Sequence, residues 1–184
     1  MRKLLAFCLI IPASLLFSCQ KSGPSGQNQG DQFSQAGQYG NASSQVDSDS
    51  QLRMLKGVVR QDPKNLRAWI DLGNAAMDSG KYKDAIDAYE SALKLDPKQV
   101  DVRVDMGTCF RNIGQPLKAV EEYRKALAIN PNHALATRNM GVVMAYDLHQ
   151  NKEAVVMFKS YLKLSPSAPD AAAIRQEITR FGGR

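Results

Sequence analysis

At 184 residues and 43% hydrophobic composition, the chain carries enough apolar surface for one domain with a real core. Its net charge of +6 falls to +4 once Arg2 and Lys3 are set aside, and the remaining positive excess is local, around Arg53, Lys56, Arg60 and Lys64, so no nucleic-acid partner is expected. Two histidines, three cysteines and the lack of a phosphate-cradling glycine loop leave little for catalysis, so the sequence predicts no enzyme, no metal site and no cofactor.

The first element is a short positive head, Arg2-Lys3, followed by the apolar run Leu4 to Leu16. A membrane-spanning helix needs roughly 20 apolar residues, so this run is too short to span and fits the hydrophobic part of a secretory signal over residues 1–18. Leu16-Phe17-Ser18-Cys19 resembles the lipobox of bacterial lipoproteins. That resemblance implies cleavage before Cys19 and lipidation of its thiol, which would anchor the chain in a membrane; stable anchoring takes two or more acyl chains, because one alone binds only marginally. Gln20 stands where aspartate retains many such lipoproteins in the inner membrane, so the resemblance also implies the outer membrane, facing the periplasm. Cys109 would then be the only free thiol, with no intramolecular disulfide available to it.

Residues 19–47 are rich in glutamine, serine and glycine and poor in large apolar side chains. Such a segment cannot offset its ordering entropy by burial, so the sequence predicts a disordered tether spanning roughly 30 Å. A packing helix is expected over 48–62, where Leu52, Leu55, Val58 and Val59 form an apolar stripe.

Beyond it the chain repeats. Pro63, Pro97 and Pro131 are 34 residues apart, Gly73, Gly107 and Gly141 keep the same step, and Ala85, Ala119 and Ala154 follow it with one residue inserted in the last interval. Tyr89, Tyr123 and Phe158 make a further column. Each copy reads as two helices broken near a glycine and closed by a proline, and the small residues mark where two helices approach closely. The copies occupy 63–96, 97–130 and 131–165, and 166–184 reads as a capping helix with Ala171, Ile174, Ile178 and Phe181 on one face.

Trp69, Leu72-Gly73, Gly80, Tyr82, Ala85, Tyr89, Ala92-Leu93, Leu95 and Pro97 stand at the spacings of the tetratricopeptide repeat, which the chain closely resembles. The second copy departs with Arg103 at the tryptophan position, and the third with Thr137 there and Tyr161 where the family has alanine. The resemblance implies an all-α solenoid of three helix hairpins with a flanking helix at each end, whose concave face binds an extended peptide or a helix of a partner protein. By family register that face carries Arg67, Ile70, Asp71, Asn74, Met77 and Asp78; then Asp101, Val104, Asp105, Thr108, Arg111 and Asn112; then Leu135, Arg138, Asn139, Val142 and Tyr146. A partner with a basic stretch followed by an apolar one would suit it. Ile70 and Leu135 replace the lysines with which some tetratricopeptide proteins hold chaperone carboxyl termini, so that ligand is not expected.

The functional expectation is a lipid-anchored, non-enzymatic scaffold that recruits or stabilises another envelope protein, for example in pilus or secretin assembly. Two alternatives stay open: a periplasmic chaperone for unfolded clients such as apocytochromes, and a structural component that self-associates.

Overall fold

The computed structural model describes residues 33–182, with side chains from Asp47 onward. It contains eight helices and, among the described residues, no strand: α1 (Phe33–Gln61), α2 (Leu66–Asp78), α3 (Tyr82–Leu95), α4 (Val100–Asn112), α5 (Pro116–Ile129), α6 (Ala134–Tyr146), α7 (Asn151–Leu164) and α8 (Ala171–Gly182). The signal segment, Cys19 and the tether up to residue 32 lie outside the described residues. None of the described helices is long and apolar enough to cross a membrane.

The tether reading differs from the structure over 33–47, because α1 starts at Phe33 and not near residue 48. Its packed end supplies the reason. Leu52 and Val59 are buried against the first hairpin, and once such a nucleus exists each further helical residue adds a hydrogen bond without repeating the nucleation cost. A segment poor in large apolar side chains can therefore still be helical when the helix grows from a docked end. Lys56 secures that end by an ion pair to Asp84 of α3 at 2.7 Å.

α2/α3, α4/α5 and α6/α7 are the three expected hairpins, and α8 packs on α7. A Cβ built on Gly73 would lie 2.3 Å from the Tyr89 ring, one on Gly107 2.6 Å from Tyr123 and one on Gly141 2.8 Å from Phe158, all impossible contacts. Glycine at these positions is thus what lets each hairpin close over its aromatic ring. Ala85, Ala119 and Ala154 are fully buried on the facing helices.

The turns between hairpins repeat as well. Asp62, Asp96 and Asn130 each accept a side-chain hydrogen bond from the backbone N–H two residues on, bending the chain around the proline between them. In the first two copies the carbonyl of that proline then receives a side-chain donor from the next helix, whereas in the third Thr137 Oγ1 donates to His133 O. Trp69 Nε1 donates to Pro63 O at 2.9 Å, and Arg103 Nη2 donates to Pro97 O at the same distance. Arginine at the tryptophan position therefore preserves the hydrogen bond while changing what surrounds it: its guanidinium also pairs with Glu122 at 3.0 Å, where the first copy has Ala88, which with Trp69 lines a pocket. Tyr161, a further departure, is buried and sends its hydroxyl to Asp170 at 2.6 Å, fastening the start of α8.

Candidate peptide-binding groove

The helices α2, α4 and α6 touch one another along one side of the ribbon, so the first helix of each hairpin forms its inner layer. Nearly all the residues expected in the groove are half-buried or exposed there; Leu135 and Tyr146 remain 57% and 42% exposed. Val104 is the exception. It is only 4% exposed and belongs to the core.

Two inter-repeat sites with the same backbone can be compared position by position. Between α2 and α4 the surface is made by Asn74, Met77, Asp105 and Thr108, over Val104. Thirty-four residues on, between α4 and α6, the corresponding side chains are Thr108, Arg111, Asn139 and Val142, with Arg138 in place of Val104. Thr108, Arg111, Arg138, Asn139 and Val142, with Tyr123, line a pocket of about 220 Å3. Both sites are reached from behind by a tyrosine hydroxyl: Tyr89 Oη donates to Asn74 Oδ1 at 2.8 Å, and Tyr123 Oη lies 3.2 Å from Thr108 Oγ1. Burial raises both phenols above their ordinary range. Sequence reasoning missed this pair of hydroxyls, although the column Tyr89, Tyr123, Phe158 carries the signal, since only the third copy lacks the oxygen.

The charges are distributed unequally. Arg67 is held by Asp71 within α2 at 2.9 Å, Arg111 by Asp147 at the end of α6, and Arg138 by Asp170 ahead of α8. Asp101 faces His133 Nε2 at 2.8 Å. His133 caps α6, its Nδ1 accepting from Ala136 N–H, so the neutral ring carries its proton on Nε2 and donates it to Asp101. His133 thus ties α4 and α6 together. Asp105 makes no ion pair among the described residues. Burial, then the neighbouring Asp101 and Asp78 carboxylates, push its pKa up to about 6. Asn112 turns back to donate to Thr108 O of its own helix, and Tyr146 meets the Phe181 ring edge-on at 5.5 Å, so the far end of the groove is closed by α8. Cys109 is fully buried behind the groove, where burial drives its thiol up to about 12, an inert core position.

A layered ribbon of helix hairpins with a concave face of this kind defines a tetratricopeptide-repeat protein. Residues 40–172 match the model of the cytochrome c-type biogenesis protein H TPR domain, and the chain belongs to that family. Among characterised proteins it is 26% identical over 92 residues to the formate-dependent nitrite reductase complex bifunctional subunit NrfFG of Haemophilus influenzae. That match takes in 50% of this chain but only 24% of NrfFG, so the chain spans about a quarter of that relative. Among solved structures it is similar to MamA, with a TM-score of 0.66 at 22% identity over 77% of this chain and 88% of that one. The first TPR domain of Spaghetti (RPAP3) bound to the HSP90 peptide SRMEEVD superposes with a TM-score of 0.60 at 21% identity, over 66% of this chain and 97% of that one. At such identities these two similarities speak to the fold.

Proposed function

We propose that this chain is a binding scaffold of c-type cytochrome maturation that holds an unfolded segment of an apocytochrome in the groove of α2, α4 and α6, tethered to the bacterial envelope by lipid on Cys19 and facing the periplasm. The family match over residues 40–172 carries the reading, and it favours the client-holding alternative over pilus or secretin assembly. The peptide-bound relative supports the use of a groove for an extended segment. Its acidic peptide is not the ligand expected here. Ile70 and Leu135 offer no cation for a chain-terminal carboxylate, and Asp105 adds negative charge between α2 and α4.

The test is fluorescence anisotropy of the full chain with labelled apocytochrome c, and separately with the folded haem-bound protein. Binding of the first and not the second, lost on Asn74→Arg with Leu135→Glu, is the expected outcome; equal binding of both, or none, would refute it. Radioactive palmitate incorporation in unaltered protein and its absence in Cys19→Ala would establish the anchor.

A further inference from the structure

The pocket between α4 and α6 has a chemistry that its counterpart one repeat earlier lacks. We infer that it is a subsite for the side-chain carboxylate of an Asp or Glu within the bound segment, held by Arg111, Arg138 and Asn139. The inference rests on the groove reading above and specifies one contact within it.

The argument begins with donors. Arg111 uses Nε on Asp147, and its two terminal nitrogens make no hydrogen bond among the described residues. Arg138 uses Nε on Asp170 and Nη1 on Asn139 Oδ1, leaving Nη2 free, and the Asn139 amide nitrogen likewise has no partner among the described residues. A guanidinium has five N–H donors in a rigid fork, so fixing one edge on a carboxylate aims the rest. Asp147 and Asp170 thus hold two arginines in place at the rim of a 220 Å3 pocket. Thr108 Oγ1 donates to Val104 O, so the Tyr123 hydroxyl must be its donor, and neither supplies a further hydrogen to a ligand. Every free donor therefore belongs to Arg111, Arg138 or Asn139, and the complementary group is an anionic acceptor with two oxygens.

The counterpart site shows that this is not forced by the fold. There Met77, Val104 and Asp105 occupy the positions of Arg111, Arg138 and Asn139, and no cation is offered at all. The pocket also sits in mid-groove, with α2 on one side and α8 on the other, so a segment filling the groove passes through it and presents a side chain, not a chain end. A cation of the segment over Asp105 followed by a carboxylate over Arg111 and Arg138 would fix the direction in which the segment lies.

The probe is a random twelve-residue peptide library displayed with its carboxyl end fused, so that no free terminal carboxylate is present, selected on the full chain. Peptides that lose binding on Leu135→Glu are groove ligands; they are then synthesised with amidated ends. The expected result is an Asp or Glu whose change to Asn or Gln weakens binding roughly tenfold to the unaltered protein and less than about twofold to Arg111→Gln/Arg138→Gln. Asn139→Leu breaks no ion pair, and a smaller loss of the same coupling is expected from it, which keeps the test decisive if the double variant unfolds. Groove ligands without an acid, or with an acid whose removal costs the same in all three proteins, overturn this inference and leave the groove reading standing. No groove ligand from the selection would overturn both.

Discussion

The first and second repeats share a backbone and differ in what they place on it. Behind the ribbon, the half-buried Trp69 packs on the core and lines a pocket with Ala88; one period on, Arg103 pairs with Glu122, the two side chains only 15% and 8% exposed. In the groove the comparison is between junctions: Met77, Val104 and Asp105 between the first and second repeats give way to Arg111, Arg138 and Asn139 between the second and third. Close contacts between glycine and ring, buried alanines and proline turns are common to both, so the fold needs these and tolerates charge or apolar bulk elsewhere. The lesson is that stability and recognition occupy different columns of the same period.

The largest effect expected from breaking this symmetry is at the ion pair. Arg103→Ala removes both the donor to Pro97 O and the partner of a buried carboxylate, at a cost of about 2–3 kcal/mol; Lys125, 2.7 Å from the other Glu122 oxygen, limits the loss. The double variant Arg103→Trp/Glu122→Ala transplants the first repeat's solution and should lie within about 1 kcal/mol of the unaltered protein in urea unfolding, or above it. If it proves as unstable as Arg103→Ala, the two repeats are not interchangeable behind the groove.

Next in size are the glycines. Gly73→Ala, Gly107→Ala and Gly141→Ala drive a methyl group into rings at 2.3, 2.6 and 2.8 Å, so overpacking costs of about 1–3 kcal/mol are expected, decreasing in that order. Thermal melts by circular dichroism would show it, and a reversed order would mean that ring displacement, not initial distance, sets the cost.

These columns explain how much was legible beforehand. Proline, glycine and alanine at a fixed step are dictated by local sterics, and they gave eight helices and the register of the inner face. Four things were not legible. Val104 looked like a groove residue because register says which way a side chain points and not what covers it. The pairing of Arg111 with Asp147 and of Arg138 with Asp170 depends on contacts across turns whose length varies between copies. The role of Tyr161 needed the position of Asp170, and the start of α1 at Phe33 reflects helix growing out from a docked end, which composition cannot register.

The groove comparison yields a pH-dependent prediction. Asp105→Asn places in the first junction the residue that Asn139 is in the second. Asp105 titrates near 6 in the folded protein, above about 3.9 for an unperturbed aspartate, so the folded state is the better proton binder between these values. Its contribution is favourable below the lower value and is lost as pH rises through the upper one. Asp105→Asn should therefore be neutral near pH 4 and stabilising by about 1–2 kcal/mol at pH 8, a figure reduced for the solvent that still reaches the carboxyl. Urea unfolding at both pH values checks it, and a gain of equal size at both would mean that lost packing or a new hydrogen bond, not charge, is responsible.

The smallest effect separates the third repeat from the first two. Gly80 and Gly114 close their hairpin turns with φ of +70° and +75°, and His149, displaced by the one-residue insertion, takes φ of +55° in the same role. A side chain in that left-handed region costs roughly 1–2 kcal/mol, while glycine at the same place brings back about 0.5–1 kcal/mol through the greater freedom of the unfolded chain. His149→Gly should thus gain about 0.5 kcal/mol, or about 1–2 °C in melting temperature, whereas Gly114→His should lose a comparable amount. The backbone on either side is already tied, with Leu148 N–H donating to Val143 O at 3.1 Å and Gln150 N–H to Met144 O at 2.7 Å, so the turn does not need the imidazole to hold its shape. Opposite signs for the two variants would establish that the inserted residue keeps the closing geometry of the earlier turns and only strains the residue that adopts it; a loss from both would show that the third turn has acquired a contact of its own through His149.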